Sequence, residues 1–359
     1  IDMSGALIQL VSKGAQDVYY MSGEGTSLFT SKYTRHTNFA QAPKLIKEFS
    51  LAEDSCVIPT NGDLLTGLWF EGTNLVEGFQ GSTIDLYIGG QRVDSQPFDF
   101  MSDVYQNYLA DTYTKSQEIN NKCSVNNTNF IPLTFFFNNK SSYIPMVALQ
   151  YHQVEVRVNF QQNMDIPFSA KLYGNYVYLD APERKRFTST KLDFIITQTQ
   201  TIKEKLIPGY NDYDLSQFNH PVKSLFFGIP TKSSNVIEDR FTFDSADILL
   251  NGTHLFEAMT PTYFHTVQNY FHSDFGISAF HELYNTPFYT RYYAYHFCTN
   301  ASDYKSTGSC NFSRLDNAQL QIRDAVVGSE RTGEDIRIYA VNYNVLRIQE
   351  GMAGILFGN

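Results

Sequence analysis

Short runs of alternating apolar and polar residues dominate the chain. In residues 151–160, three valines and a phenylalanine alternate with charged and amide side chains, and this period of two predicts a strand with one buried face. Residues 84–88 alternate in the same way and run into two glycines at 89–90, which predicts a hairpin. Residues 173–179 and 338–348 are rich in aromatic and β-branched side chains and predict further strands. These patterns favour an all-β fold.

Two segments have helical spacing instead. Residues 101–109 place apolar side chains at i, i+3, i+4, i+7 and i+8, which form one face of a helix. Pro261, followed by Tyr263, Val267 and Tyr270, predicts a second, shorter helix, because proline is favoured at the first helical position. Along the chain, a predicted strand and a glycine turn precede each of the two helices.

The two halves of the chain repeat this arrangement. Residues 85–109 and 247–271 align at a constant shift of 162 positions. Five aligned pairs are identical: Asp85 with Asp247, Gly90 with Gly252, Gln106 with Gln268, Asn107 with Asn269, and Tyr108 with Tyr270. Further matches occur at shifts of 161, 164 and 167, and a slowly growing shift is typical of loop insertions in a duplicated domain. The repeat favours two tandem copies of one domain joined near residue 197; one large single sandwich remains the alternative.

The length suits two such copies. Half of the 359 residues leaves room for eight strands of about six residues each, one helix and long connections. An eight-stranded Greek-key sandwich, the jelly roll, also protects most strand edges. We therefore expect an all-β fold of two tandem eight-stranded jelly rolls with short helices in the loops. Residues 1–30 would form an N-terminal arm, residues 31–196 the first roll and residues 197–359 the second roll.

Composition and charge exclude several classes of protein. Hydrophobic residues make up 42% of the chain and charged residues 18%, against about 25% charged in a typical globular protein, which excludes a disordered polyelectrolyte. The net charge of −10 would repel a phosphate backbone, so we expect no direct sequence-specific nucleic-acid binding. No run of about 18 uncharged apolar residues is present, so no membrane-spanning helix is expected.

Motifs for catalysis and metal binding are not found in the sequence. It has no GxxxxGK[ST], HExxH or GxSxG, and no GxGxxG after a predicted strand. His265, His272, His281 and His296 cluster in the second half, but spacings of 7, 9 and 15 do not supply the HxH pair of a jelly-roll metal site. We expect structural or solvent-facing histidines, and no enzyme activity, metal or cofactor.

Two groups of charged residues invite a catalytic interpretation. Asp180 and Glu183 are followed by Arg184, Lys185 and Arg186, and two carboxyls can serve as acid and base in a glycosidase. With three cations beside them, an ion-pair network at the junction of the two rolls is the favoured interpretation. Arg314 and Asp316 are likewise expected to form a buried or interface pair.

The cysteines indicate no disulfide framework. Cys56, Cys123, Cys298 and Cys310 form no CxxC pair, which favours isolated reduced thiols. A Cys298–Cys310 disulfide is the alternative.

Five N-x-S/T sequons are candidate N-glycosylation sites: Asn126, Asn139, Asn251, Asn300 and Asn311. Asn251 lies in a predicted hairpin turn and Asn126 in a polar loop. We expect these two to be the most accessible.

Seven stretches together carry a family resemblance: residues 5–20 (GALIQLVSKGAQDVYY), 33–40 (YTRHTNFA), 144–156 (IPMVALQYHQVEV), 176–187 (YVYLDAPERKRF), 218–227 (FNHPVKSLFF), 308–322 (GSCNFSRLDNAQLQI) and 339–359 (YAVNYNVLRIQEGMAGILFGN). In these stretches, and in their order along the chain, the sequence resembles the major capsid proteins of nucleocytoplasmic large DNA viruses and their smaller relatives. Residues 292–306 keep the position of a family strand and loop but differ in detail.

The resemblance implies a structural role. It implies a double jelly-roll subunit that forms homotrimers with a pseudo-hexagonal outline, and these capsomers tile an icosahedral shell in the virion. The implied partners are other copies of the chain, minor capsid and penton proteins, and an internal membrane where one lies under the shell. Assembly in the host cytoplasm and expression as a late protein are also implied. The alternative is a glycan-binding jelly-roll attachment protein or a minor capsid protein.

The N-terminal arm carries its own expectation. Residues 5–29 mix apolar side chains with four glycines, so the segment is a poor independent folding unit. We expect the arm to lie on the capsid interior and to contact a neighbour or a minor capsid protein. An edge strand of the first roll is the alternative.

Overall fold

The computed structural model describes residues 14–20, 29, 35–49, 54–117, 128–139, 142–161, 169–230, 241–274, 292–328 and 333–358. The chain divides into a short unit, Ile1–Asn38, and a large unit, Phe39–Asn359. In the short unit a 3-10 turn spans Asp17–Tyr19, and the Asp17 carboxylate accepts a 2.6 Å hydrogen bond from the backbone of Gly14. Apart from residues 14–20 and 29, the predicted arm lies outside the described residues.

Strands make up most of the large unit. In chain order they are β1 (Phe39–Phe49), β2 (Ser55–Ile58), β3 (Leu64–Thr73), β4 (Thr83–Ile88), β5 (Gln91–Pro97), β6 (Thr128–Pro132), β7 (Val154–Asn159), β8 (Ser169–Leu179), β9 (Leu192–Lys205), β10 (Gly209–Asp214), β11 (Pro221–Gly228), β12 (Phe241–Thr242), β13 (Ser245–Leu250), β14 (Thr253–His254), β15 (Tyr292–His296), β16 (Cys310–Asn311), β17 (Ala318–Val327), β18 (Asp335–Gln349) and β19 (Met352–Ile355).

Short helices lie in the connections between strands. They are the α-helices Leu75–Phe79, Tyr113–Gln117, Ala181–Ser189 and Gln268–His272, the π-helices Phe100–Leu109 and Tyr263–Val267, and the 3-10 turns Phe136–Asn138, Met146–Ala148 and Phe312–Arg314. In the part of the chain that the structure describes, no helix has the length and apolar character needed to cross a bilayer.

The first roll is a sandwich of two antiparallel four-stranded sheets. One has the order β1-β8-β3-β6 and the other β2-β7-β4-β5. Strand β7 shows why the sheets stack: Val154, Val156 and Val158 are fully buried, while Glu155 and Arg157 form an ion pair on the other face. The alternation in residues 151–160 therefore places one face in the core, as predicted.

The second roll repeats this topology. One sheet contains β15-β11-β18 with β9 on the other edge of β18, and the other contains β10-β17-β13-β14. Strands β9, β18, β11 and β15 replace β1, β8, β3 and β6; strands β10, β17, β13 and β14 replace β2, β7, β4 and β5. The short strands β12, β16 and β19 are additions. The expected fold, two tandem eight-stranded jelly rolls with short helices in the loops, is confirmed.

Corresponding hairpins mark the repeat at the level of single turns. The β4–β5 turn has Gly89 at φ 60° and Gly90 at φ 79°, and the β13–β14 turn has Asn251 at φ 50° and Gly252 at φ 75°. Positive φ at both central residues is the type I′ geometry that matches the twist of a hairpin. A Cβ atom at position 89 would lie 2.1 Å from the Nδ1 atom of His152. Position 89 therefore requires glycine both for its positive φ and because there is no room for a Cβ atom.

Aromatic side chains fill the cores. In the second roll Phe227, Phe243, Phe264 and Tyr293 pack with ring centroids 4.7–6.1 Å apart. Burial of each such ring stabilises the fold by about 1.5–3 kcal/mol. On β11 and β15 these rings lie on one face of the sheet. The neighbouring residues of both strands point to the opposite face, which is also covered.

Two helices occupy equivalent connections. We call Phe100–Leu109 the first connecting helix, and Tyr263–Val267 together with Gln268–His272 the second connecting helix. Both helix predictions are confirmed, although the first helix has π geometry. Strand β9 runs through residues 196 and 197, where the sequence predicts the boundary between the rolls; that boundary stays a prediction.

Candidate interaction surfaces

The two rolls of one chain meet along the first connecting helix. Phe100, Val104 and Tyr108 lie at i, i+4 and i+8 of this helix, and all three are buried. The Phe100 ring lies 5.3 Å from the ring of Tyr339 on β18, and the Tyr108 ring lies 5.6 Å from the ring of Phe226 on β11. One face of the helix of the first roll thus packs on a sheet of the second roll. We call this contact the seam.

The seam makes the core of the first roll continuous with a sheet of the second. Phe226 and Tyr339 belong to the same apolar cluster as the first roll's core, whereas their neighbours Phe227 and Ile338 belong to the core of the second roll. Successive side chains of a strand point to opposite faces. At these positions the sheet is therefore buried on both faces and lies between the two cores.

A polar network fixes the geometry of the seam. The Asp99 carboxylate pairs with the guanidinium of Arg337. The same oxygen accepts hydrogen bonds from the hydroxyls of Tyr339 at 2.7 Å and Tyr292 at 3.5 Å. The Tyr108 hydroxyl donates to the carbonyl of Tyr292. Burial raises the pKa of the three tyrosines well above the usual value, so they remain donors. Such directional contacts select one arrangement of the two rolls.

A second carboxyl lies between β5 and β9. One oxygen of Asp94 accepts a 2.8 Å hydrogen bond from the backbone N–H of Thr199, and the other accepts a 2.8 Å bond from Nε2 of Gln96. Burial raises the pKa of Asp94 to about 7, although these hydrogen bonds pull the pKa down. Asp94 thus links the two rolls through a carboxyl group whose pKa is near neutral pH.

The short strand β19 also contacts the first roll. His152 Nδ1 lies 2.9 Å from the carbonyl oxygen and 3.1 Å from the backbone nitrogen of Ala353, and the Gln91 side chain accepts a 3.1 Å bond from the backbone of Ile355. Side chains of the first roll therefore bond to the open edge of β19, which would otherwise offer unpaired backbone groups.

Aromatic rings on two other surfaces are exposed or partly exposed. Tyr270 and Phe271, at the end of the second connecting helix, are 79% and 68% exposed, and their rings lie 5.0 Å apart in a T-shaped arrangement. We call them the exposed ring pair. On the first roll, Trp69 stacks on Tyr173 at 5.7 Å and lies 6.4 Å from Phe130. These three half-buried residues form what we call the aromatic patch. Exposed aromatic surface of this kind is typical of protein interfaces.

A further apolar groove lies beside the end of β18. It has a volume of about 710 Å³, and its lining includes Ile195, Val345, Leu356 and Phe357. The described residues around it contribute hydroxyls, amides and the imidazole of His220, but no carboxylate. The groove therefore offers apolar area bordered by polar side chains.

The histidines of the second roll lie mostly in packed surroundings. The His296 imidazole is buried, its Nδ1 lies 2.8 Å from the Ser224 hydroxyl, and burial lowers its pKa to about 3. Its ring lies 6.1 Å from that of His272, and the His265 ring meets Tyr108 edge-on at 6.3 Å. Within the described residues no cluster of histidine, cysteine or carboxylate has the geometry of a metal site. His281 lies outside those residues.

The charged segment 180–186 begins an exposed helix. Asp180 accepts a 2.7 Å hydrogen bond from the backbone of Ala181 and caps the helix. Arg184 forms an ion pair of 2.8 Å with the buried carboxylate of Asp63. These contacts tie the connection between β8 and β9 to the first roll. The ion pair of Arg184 is with a residue outside the charged segment, and the network predicted within the segment stays a prediction.

The buried form of the pair expected at Arg314 and Asp316 is wrong, because both residues are exposed in the single chain; an interface pair stays a prediction. The backbone nitrogen of Asp316 instead bonds to the Asn251 side chain at 3.0 Å. The segment around Phe312–Arg314 is a surface turn, so its charged side chains point to solvent.

The alternative of a Cys298–Cys310 disulfide is also wrong. Cys56, Cys298 and Cys310 are free thiols, and burial raises the pKa of each. Cys123 lies outside the described residues.

The sequons differ in access. Asn251 is exposed in its hairpin turn and Asn311 is exposed on a surface turn. Asn139 is half buried and accepts a 3.3 Å hydrogen bond from Tyr105, and the Nδ2 atom of Asn300 donates to Asp274 at 2.8 Å. Asn126 lies outside the described residues. Glycosylation of the five sites stays a prediction; of the four described sequons, Asn251 and Asn311 are the exposed ones.

Family models match both halves of the chain. A model described as "Major capsid protein N-terminus" matches residues 27–180, and one described as "Large eukaryotic DNA virus major capsid protein" matches residues 183–354. The major capsid protein of Pyramimonas orientalis virus is 30% identical over 99% of this chain and 100% of its own length. That of Paramecium bursaria Chlorella virus 1 is 29% identical with the same coverage.

Solved capsid structures have the same fold. The chain in the PBCV-1 virus capsid superposes with a TM-score of 0.78 at 24% identity, covering 93% of this chain and 100% of its own length. The Faustovirus major capsid protein gives a TM-score of 0.67 at 10% identity, covering 94% and 95%. With the full-length sequence matches, the topology and the family models agree: this chain belongs to the major capsid protein family of large eukaryotic DNA viruses.

Proposed function

We propose that three copies of this chain associate into a capsomer with a pseudo-hexagonal outline, and that these capsomers tile an icosahedral shell. The family assignment gives the coarser function, a structural capsid component of the virion and not an enzyme. The observation that carries the finer proposal is the seam, which holds two rolls of equal topology in one arrangement. Three chains then supply six similar lobes around one axis.

The surface chemistry supports self-association. The exposed ring pair and the aromatic patch provide large rings with few rotatable bonds, which suit protein contacts. The net charge of −10 favours solubility of unassembled capsomers, and salt screening reduces the repulsion between neighbours in a lattice.

The proposal is tested on the purified full chain. Size-exclusion chromatography with light scattering should give a species near three times 41.0 kDa. Negative-stain electron microscopy of this species should show particles with a hexagonal outline. A stable monomer that binds glycans would instead support the alternative of an attachment or minor capsid protein.

The remaining partners and boundaries are part of the same proposal. Residues 31–196 and 197–359 would be the two lobes, with minor capsid and penton proteins bound in the lattice and assembly in the host cytoplasm. Residues 1–30 would form an arm on the shell interior, above any internal membrane. Deletion of residues 1–25 should leave capsomers intact and impair shell assembly; unchanged assembly would contradict the role of the arm.

A further inference from the structure

We propose that the exposed ring pair, Tyr270 and Phe271, binds the aromatic patch, Trp69, Tyr173 and Phe130, of a neighbouring copy of this chain. The inference rests on the proposed function, because it names the contact through which the copies associate. It is argued from the internal repeat: each of the two surfaces corresponds to one side of the seam.

The exposed ring pair corresponds to the helix side of the seam. The shift of 162 that relates β4 to β13 also aligns Tyr108 with Tyr270 and Leu109 with Phe271. Tyr108 is 1% exposed and Leu109 8%, because the second roll covers them, whereas Tyr270 and Phe271 are 79% and 68% exposed. The rest of this helix face shows the same difference in burial. Thr262 and Thr266 align with buried residues of the first connecting helix, but they are exposed.

The sheet side of the seam consists of three aromatic residues in a fixed register. Phe226 on β11 pairs with Tyr339 on β18, and two residues further along β11, Gly228 pairs with Tyr292 on β15. Phe226 and Tyr339 contact the rings of the first connecting helix, and the Tyr292 carbonyl accepts the hydrogen bond from its Tyr108.

The aromatic patch has the same register on the equivalent strands of the first roll. Trp69 on β3 pairs with Tyr173 on β8, and two residues further along β3, Glu71 pairs with Phe130 on β6. Counted from the first residue of each strand, Trp69 and Phe226 are both sixth on β3 and β11, and Tyr173 and Tyr339 are both fifth on β8 and β18. Phe130 then takes the register position of Tyr292. The neighbours of Trp69 on β3 belong to the core, so Trp69 points outward. The patch is thus a second docking face, only partly covered.

The location of the two surfaces on different lobes predicts a ring of copies. The exposed ring pair lies on the second roll and the aromatic patch on the first, so one copy carries both halves of the contact on different lobes. Such a contact is heterologous and continues from copy to copy until the rotation closes. If each contact repeats the seam, all lobes are related by similar rotations, as the proposed ring of three chains requires.

The contact between copies would differ from the seam in one respect. Pro261 aligns with Asp99, so the second connecting helix has no carboxylate at that position. Lys171, which has the register position of Arg337, forms an ion pair with Glu48 at 3.1 Å within its own sheet. The contact is therefore expected to depend on apolar area and to respond weakly to moderate salt.

The first test replaces the exposed ring pair. In Tyr270→Ser/Phe271→Ser both positions are exposed in the single chain, so folding should be retained. The dissociation constant of the oligomer should rise about 30-fold or more if the rings are central to the contact. Tyr210→Ser, at a residue that is 54% exposed elsewhere, is the matched control and should leave the oligomer unchanged.

Tryptophan fluorescence reports on the patch without altering it, because Trp69 is the only tryptophan of the chain. In the wild-type oligomer Trp69 should be shielded from acrylamide quenching. In the Tyr270→Ser/Phe271→Ser variant it should be quenched as in dissociated chains. An oligomer of unchanged mass, with Trp69 equally shielded in the variant, would overturn the inference.

A mixing experiment tests the heterologous arrangement. Trp69→Ser keeps the exposed ring pair, and Tyr270→Ser/Phe271→Ser keeps the patch, so the two variants together can form one intact contact and no closed ring. A 1:1 heterodimer from two monomeric variants supports the inference, and continued monomers in the mixture contradict it. If Trp69→Ser does not fold, the quenching experiment decides alone. A monomeric wild-type chain would count against the proposed function, whereas a trimer indifferent to these variants would count against this contact only.

Discussion

Removal of the Asp99 carboxylate should destabilise the whole large unit. In Asp99→Ala the guanidinium of Arg337, whose side chain is only 21% exposed, loses its ion-pair partner. The hydroxyls of Tyr339 and Tyr292 lose their acceptor at the same time. A buried charge left without its partner typically costs about 3–5 kcal/mol. We expect the free energy of unfolding to fall by an amount in that range.

The measurement is urea unfolding of the full chain, followed by circular dichroism at one fixed chain concentration, because association also contributes to apparent stability. The matched control is Asp193→Ala, which removes an aspartate from the ion pair between Asp193 and Arg347, where the side chains are 42% and 35% exposed. That variant should change stability little, since surface ion pairs contribute little.

A paired substitution separates the loss of a charge pair from a loss of packing. Asp99→Leu/Arg337→Met removes both charges together, so no buried charge is left uncompensated, and part of the lost stability should return. If Asp99→Ala is no more destabilising than Asp193→Ala, the polar network does not hold the seam and the reasoning fails.

Three further outcomes are expected. Burial raises the pKa of Asp94 to about 7, so the protonated carboxyl favours the folded state. The free energy of unfolding should therefore fall by up to about 4 kcal/mol between pH 4 and pH 8, and Asp94→Asn should flatten this dependence in urea titrations. Gly90→Ala should cost about 1–2 kcal/mol through its positive φ, and Gly89→Ala should lower the melting temperature further, because its Cβ would lie 2.1 Å from an imidazole nitrogen. In a glycosylating host, intact mass should show a glycan that Asn251→Gln removes, and Asn300→Gln should leave the mass unchanged apart from the substitution, because the Asn300 amide is engaged.

Local pattern was sufficient to predict several strands, the two connecting helices and their duplication. The valines of β7 and the glycine pair of the β4–β5 turn act through neighbours in sequence, so their periodicity and turn chemistry are visible in a single chain. The shift of 162 between the two halves reproduces the offset between β4 and β13.

The seam could not be predicted in this way. Asp99 and Arg337 are 238 positions apart, and nothing in their local sequence indicates that they pair. Tyr108 and Tyr270 have the same two preceding residues, yet one is buried and the other exposed, because the covering roll lies on only one of them. For Arg314 and Asp316 the spacing suggests a buried pair, but the turn that carries them faces solvent in the single chain.

The sheet that joins the two rolls restricts bending within one copy of the chain. Strand β9 spans 14 residues and pairs with β18 along nearly its whole length, so the link between the lobes is itself part of a sheet. A hinge at this point would break ladder hydrogen bonds and uncover the part of the first roll's core that packs on this sheet. In the proposed shell, curvature is therefore expected at the contacts between copies and not within one copy.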